Sequence, residues 1–331
     1  MLRYVVRRLI GAVFVLWLIS LITFWLFFTL PNILGANPAV LFAGRSPSPA
    51  IVAAVSHHLG LDQPFWTQYW HFLSGIFVGR DFGPGQNCPA PCLGFSFING
   101  QPVWQEILSD LPVDISLAVG AAILWLVAGV SIGILSALRP RSVFDRTAMG
   151  IALAGVSLPI YFTGLLALSI FTFGPIQIFP NLHFVPFTQN PLSWARNLIL
   201  PWSCLAFLYA ALYARLTRAQ MLETMTEDYI RTARAKGLPE RRVIFKHALR
   251  SAITPIVTIF GLDIGILLGS AVLTEQTFSM TGIGRLAIQS IGSRDLPVVL
   301  GVTLFAAFFV VIANIIVDIA YAYLDPRVQY S

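Results

Sequence analysis

The chain has 331 residues, of which 56% are hydrophobic and only 11% charged, with a net charge of +6 and a mean hydropathy of +0.76. A soluble protein of this length carries about 25% charged residues, so a large soluble domain is excluded. The positive balance does not mark a nucleic-acid partner, because the basic residues follow membrane topology, and no Gly-x4-Gly-Lys-Ser/Thr loop is present to cradle a nucleotide phosphate.

Taken from the N-terminus, six apolar spans predict an all-α, multi-pass membrane protein. Leu9 to Leu30 is charge-free and 22 residues long, enough to cross a hydrocarbon core of ~30 Å. With Arg3, Arg7 and Arg8 in front of it, this run has a cleaved signal peptide as its rival reading. Its length exceeds the ~7–15 residues of a signal core and no small-x-small cleavage site follows, which favours a retained first helix.

Residues 31–114 form a long exterior segment. Within it His58 to Tyr69 reads as a short amphipathic element, and Trp66, Tyr69, Trp70 and Phe72 are placed to meet the membrane interface. Cys88 and Cys92 lie on the predicted exterior, where disulfides persist, and two prolines stiffen the loop between them. Two thiols make a poor zinc site, leaving a disulfide, favoured, or two free thiols.

The remaining spans are Ile115 to Leu138, Ala148 to Phe173 with a kink at Pro159, Leu198 to Leu216, Ile253 to Leu273 and Val298 to Leu324. Cys204, in the fourth span, reads as ordinary packing. Residues 115–331 therefore form one helical core, distinct from the first helix with its N-terminal end (1–30) and from the exterior segment. In the fifth span Gly261, Gly265 and Gly269 repeat every four residues, a face that lets another helix approach closely. Asp263, an acid deep within a span, sits about 200° around the helix from Gly261. An intramembrane carboxylate marks a cavity or pathway by default; a hydrogen bond that ties two helices is the alternative.

With the N-terminus inside, the interior segments hold 16 of the 21 Lys and Arg, and the exterior ones hold Arg45, Arg80, Arg196, Arg285 and Arg294. The positive-inside rule then places both termini in the cytoplasm. The same rule puts the most charged segment inside. Between Glu227 and Arg250 stand seven Lys or Arg and three carboxylates. Leu222, Met225, Tyr229, Ile230 and Ala233 recur at helical spacing, Thr224 and Glu227 have the form of a capping box, and Gly237 suits a left-handed C-terminal residue. Pro239 and Glu240 suit the first turn of a second helix. A helix, a Gly-Leu-Pro elbow and a short helix make a charged bracket shaped to press on another protein.

The run Asp228-Tyr-Ile-Arg-Thr-Ala-Arg-Ala-Lys-Gly237 resembles the cytoplasmic loop signature of binding-protein-dependent ABC importer permeases, in the form seen in the dipeptide and oligopeptide (nickel-peptide) branch. Leu59-Gly-Leu-Asp-Gln-Pro64, Pro102-Val-Trp-Gln-Glu-Ile107, Gly269 to Phe278, Gly282-Ile-Gly-Arg285 and Arg294-Asp-Leu-Pro-Val-Val299 are similar to further stretches of that family. Ala36-Asn37-Pro38-Ala39, Pro112-Val-Asp-Ile-Ser116 and the Cys88 to Cys92 insertion depart from its pattern.

The resemblance implies a type I ABC importer permease fold and a bacterial inner-membrane location. It implies that Glu227, Asp228, Tyr229, Ile230, Arg231, Thr232, Ala233, Arg234, Ala235, Lys236, Gly237 and Leu238, within the loop 218–252, couple to an ATPase; Asp263, Glu275 and Gln276 are the candidate pathway residues. The implied partners are a second related permease chain, two ATPase subunits, an exterior substrate-binding protein, membrane lipid and a peptide substrate. The chain itself would bind no cofactor, with ATP and Mg held by the ATPases. Nickel or glutathione is the alternative cargo, and an autonomous secondary transporter or channel is the alternative from another class. The latter would show repeated halves and several intramembrane ionisable groups, and spans one to three do not echo four to six. His57, His58, His71, His183 and His247 form no metal pattern, and neither Gly-x-Ser-x-Gly nor His-Glu-x-x-His occurs, which excludes the common hydrolase motifs.

Overall fold

The computed structural model describes residues 2–324 except 36, 38, 41–47, 62, 83–84, 97, 175–176, 180–181 and 270. The C-terminal segment 325–331, Arg45, and Ala36 and Pro38 of the departing motif thus lie outside the described residues. Helix α1 (Leu2–Phe24) continues through a π-helical stretch, Trp25–Thr29, and a last turn, Leu30–Ile33. The segment after the first helix contains α2 (Pro49–Leu59), α3 (Phe65–Val78) and two small hairpins, β1 (Arg80–Asp81) with β2 (Asn87–Cys88) and β3 (Phe95–Ser96) with β4 (Gln101–Pro102). The core follows as α4 (Val103–Leu138), α5 (Val143–Ser157), α6 (Ile160–Phe171) and α7 (Pro191–Thr224), then the bracket helix α8 (Asp228–Ala235). It closes with α9 (Leu249–Gly269), α10 (Val272–Thr277), α11 (Ile283–Ser293) and α12 (Leu296–Leu324).

Five of these segments are long and apolar enough to cross a membrane, or six if the bent pair α5–α6 is one span. That pair corrects the expected kink at Pro159, since the two helices meet at 103°. Pro159 lacks an amide hydrogen and disfavours helical backbone before it, and Leu158 accordingly lies at φ −89°, ψ 128°. The second span also differs: α4 begins at Val103, so Glu106, Asp110 and Asp114 ride on its outer turns. The fifth helix stops at Gly269 instead of Leu273, and a separate turn of helix begins at Val272.

The main core lies where α4 and α7 pack side by side around Trp125, Leu205 and Tyr213. A methyl group on Gly120 would overlap the Trp202 indole, which is why the two helices can lie so close. Trp202 also donates its indole N–H to the Ser116 carbonyl at 2.8 Å. On α9, Gly261, Gly265 and Gly269 abut Val317, Ala313 and Ala306 of α12.

Candidate functional site

The charged bracket is built on a continuous helix. Helix α7 carries the chain past the expected end of its span to Thr224, which is buried, and the Thr226 hydroxyl donates to the Glu223 carbonyl at 2.7 Å. The expected capping box does not form: Glu227 is the N-cap residue of α8 and its side chain makes no cap bond. Its carbonyl instead accepts the Ile230 and Arg231 amides at 3.1 and 3.2 Å.

Helix α8 ends as its sequence requires. Gly237 adopts φ +72°, the left-handed region open to glycine, and its amide donates to the Arg234 carbonyl at 2.9 Å. Pro239 then caps the next turn at φ −62°, with Glu240 as its first helical residue. The Arg234 guanidinium reaches across the elbow to both Glu240 oxygens, at 2.7 and 3.2 Å. That bond holds the Arg234 proton more tightly than usual. The following six residues, Val243–Ala248, form a π-helical stretch before α9.

The apolar side of α8 is spent inside this chain. Ile230 and Ala233 are buried against Ile134, Met221, Val243 and Ala252, so they cannot also fill a groove on a partner. Burying the Ile230 side chain contributes about 1.5–3 kcal/mol to seating the bracket. Facing out are Asp228, Arg231, Thr232, Lys236 and the aromatic ring of Tyr229, 45% exposed, with Phe245 of the π-helical stretch 54% exposed. The result is an exposed charged rim that includes Tyr229, carried on a base packed with residues of α4, α7 and α9.

The other expected residues are distributed over the outer and middle layers. Asp263 is half-buried and accepts a hydrogen bond from the Tyr213 hydroxyl at 2.7 Å, tying α9 to α7. Glu275 is fully buried; its two oxygens accept the amides of Ala271 at 3.0 Å and Arg285 at 2.7 Å, so it braces the α10–α11 corner. Gln276 is exposed. Cys88 and Cys92 are joined, with sulfurs 2.07 Å apart, and Cys204 is a buried free thiol.

Sequence reading missed two acids because it left them outside any span. Asp114 is fully buried in α4 and accepts the Ile283 amide at 2.9 Å. Asp295, 2% exposed, accepts the Ser96 hydroxyl and so fastens the second hairpin to the start of α12. Burial holds the Asp295 carboxyl above the usual carboxylate range. Its position between Arg294 and Pro297 offered no hint of burial; only the partner Ser96, 199 positions away, explains it.

A multi-pass helical body with a charged bracket between two of its spans has the form of a membrane transport component. The chain belongs to the family of binding-protein-dependent transport system inner membrane components, whose family model matches residues 129–330. The N-terminal companion model of that family matches residues 1–118. A putative peptide transport system permease protein of Brucella abortus (strain 2308) is 41% identical over 327 residues, 99% of each chain. The dipeptide transport system permease protein DppB of Escherichia coli (strain K12) is 36% identical over the full length of both chains. The glutathione transport system permease protein GsiC of Escherichia coli O6:H1 is 34% identical, again over both full lengths. The protein is a multi-pass inner-membrane permease subunit of an ABC importer, and the family is its non-catalytic membrane component.

Proposed function

We propose that the chain forms half of a peptide pathway together with a second related permease, and that its bracket receives the stroke of an ATPase subunit. The observation that carries this reading is the division of α8 into two faces: Ile230 and Ala233 locked into the chain's own core, Tyr229 and the charged rim left outward. A push on the rim is transmitted to α4, α7 and α9 because the base cannot slip against them. The basic residues support a cytoplasmic bracket, with both termini on that side and an exterior binding protein delivering cargo. Asp263, held by Tyr213 yet half-exposed, and the exposed Gln276 are the residues proposed to meet the pathway; Glu275 is proposed to shape its border from within.

Peptide is favoured as cargo because relatives named for peptide and dipeptide transport match end to end, as does one named for glutathione. Purification with the neighbouring permease, ATPase and binding-protein subunits, followed by ATP hydrolysis in proteoliposomes, tests the reading. Dipeptides or oligopeptides should stimulate hydrolysis through the binding protein. Stimulation by glutathione or nickel alone would move the cargo to that alternative, and transport without any ATPase would reject the class.

A further inference from the structure

The exterior helix α3 carries three distinct faces, although it was expected to offer one set of aromatics to the interface. At 100° per residue, Phe65, Tyr69, Phe72 and Ile76 fall on one side, and Tyr69 and Phe72 are only 4% and 8% exposed. The next side holds Trp66, Trp70, Leu73 and Phe77 in a single stripe; Trp66 is 66%, Trp70 65% and Phe77 76% exposed. The third side holds Thr67, Gln68, His71 and Ser74, with Val78 in the last turn 83% exposed. No Lys, Arg, Asp or Glu occurs from Pro64 to Gly79.

The depth of this helix follows from α1. Arg8 pairs with Asp318 at 2.8 Å, and a charged pair sets the lowest level at which hydrocarbon can begin. Counting up α1 at 1.5 Å per residue, a core of ~30 Å reaches at least to Phe28, about 20 residues on. Tilting α1 or starting the core above Arg8 moves that boundary further out. Yet the Tyr69 hydroxyl bonds to Ser20 Oγ at 2.8 Å, and Phe24 packs on Phe65, Tyr69 and Phe72 with centroids 5.7, 5.5 and 5.3 Å apart. Ser20 then lies roughly 12 Å, and Phe24 roughly 6 Å, beneath the outer boundary.

We infer that α3 lies within the outer leaflet, packed on α1 by one face, with its Trp66–Trp70–Phe77 stripe against lipid and its polar side towards water. Fourteen residues are too few to span, which suits a helix lying along the interface, with its amides bonded within the helix beyond the first turn. Trp is the residue type enriched where such a helix meets the membrane–water interface. On the side of α1 turned away from α3, Leu18, Ile22 and Trp25 are likewise 38%, 49% and 41% exposed. The outer-leaflet lipid is therefore a ligand of the exterior segment, and 31–114 is not wholly aqueous.

The test is spin-label accessibility in the purified full complex, reconstituted in phosphatidylethanolamine and phosphatidylglycerol vesicles. Trp66→Cys, Trp70→Cys and Phe77→Cys are made singly in a Cys204→Ala background, with Gly85→Cys on the hairpin turn as the aqueous reference. Labels on the stripe should relax with oxygen and hardly at all with a water-soluble nickel chelate, and Gly85→Cys should do the reverse. Strong collision with the chelate at the stripe places it in water and overturns the inference. Collision with neither agent means that protein covers the stripe, which overturns it equally. Should none of the three label variants fold, Trp66→Phe with Trp70→Phe supplies the answer. Vesicles with brominated acyl chains should quench wild-type tryptophan emission by a clearly larger fraction than they quench this double variant. Equal fractional quenching contradicts lipid contact.

Discussion

At the residue scale, Gly237 and Ala233 act for different reasons. Gly237 is needed for its φ of +72°, and a β-branched residue there is strained by ~1 kcal/mol or more. Gly237→Val should reduce ATPase co-purification or transport while the permease remains folded in detergent, as read by size-exclusion profile. Ala233 is 7% exposed within the chain's own cluster, so Ala233→Asp buries a carboxylate against Ile134 and Val243. It should lower yield as well as transport, whereas Tyr229→Ala on the exposed rim should lower transport with yield unchanged. Equal loss of yield in both variants would contradict the two-faced bracket.

Asp263 divides its two roles in the same way. The Tyr213 bond survives Asp263→Asn in shape, so altered transport with normal yield marks a pathway group. Normal transport with Asn, together with reduced yield for Asp263→Leu, marks a helix tie alone.

At the element scale, the apolar spans and the glycine face were legible because length, hydropathy and four-residue spacing report directly on membrane helices. The 103° break was not, because a proline inside an apolar run is compatible with a mild kink or a full turn of direction. The start of α4 was hidden for a related reason: Glu106 and Asp114 look like solvent-exposed acids until Asn99 Nδ2 and the Ile283 amide are seen to donate to them. The bracket's motif was readable, but which side of α8 was already covered was not, since helical spacing cannot tell an internal partner from an external one. The α9–α12 contact gives a direct check. Gly265→Leu would collide with Ala313, and overpacking of this kind costs about 1–3 kcal/mol, so the variant should lose thermal stability in detergent. Unchanged stability would mean that the two helices can part without cost.

At the scale of the whole molecule, the segment between the first helix and α4 is joined to the bracket by the same few helices. Ser96 fastens a hairpin to Asp295 beside α12, α12 packs on α9, and α9 leads back to the bracket. Orientation is the global property that this arrangement needs. A cysteine replacing Gln189 should react with an impermeant thiol reagent outside intact cells, and one replacing Lys246 only after the membrane is opened. Labelling in the opposite sense would invert the topology.

Contact between the bracket and an ATPase is tested most directly by a photoreactive benzoylphenylalanine replacing Tyr229 in the assembled complex. Irradiation should yield an adduct between this chain and an ATPase subunit, lost when the adjoining Gly237→Val is introduced. Adducts with lipid or with the second permease, and none with an ATPase, would show that the rim does not receive the stroke.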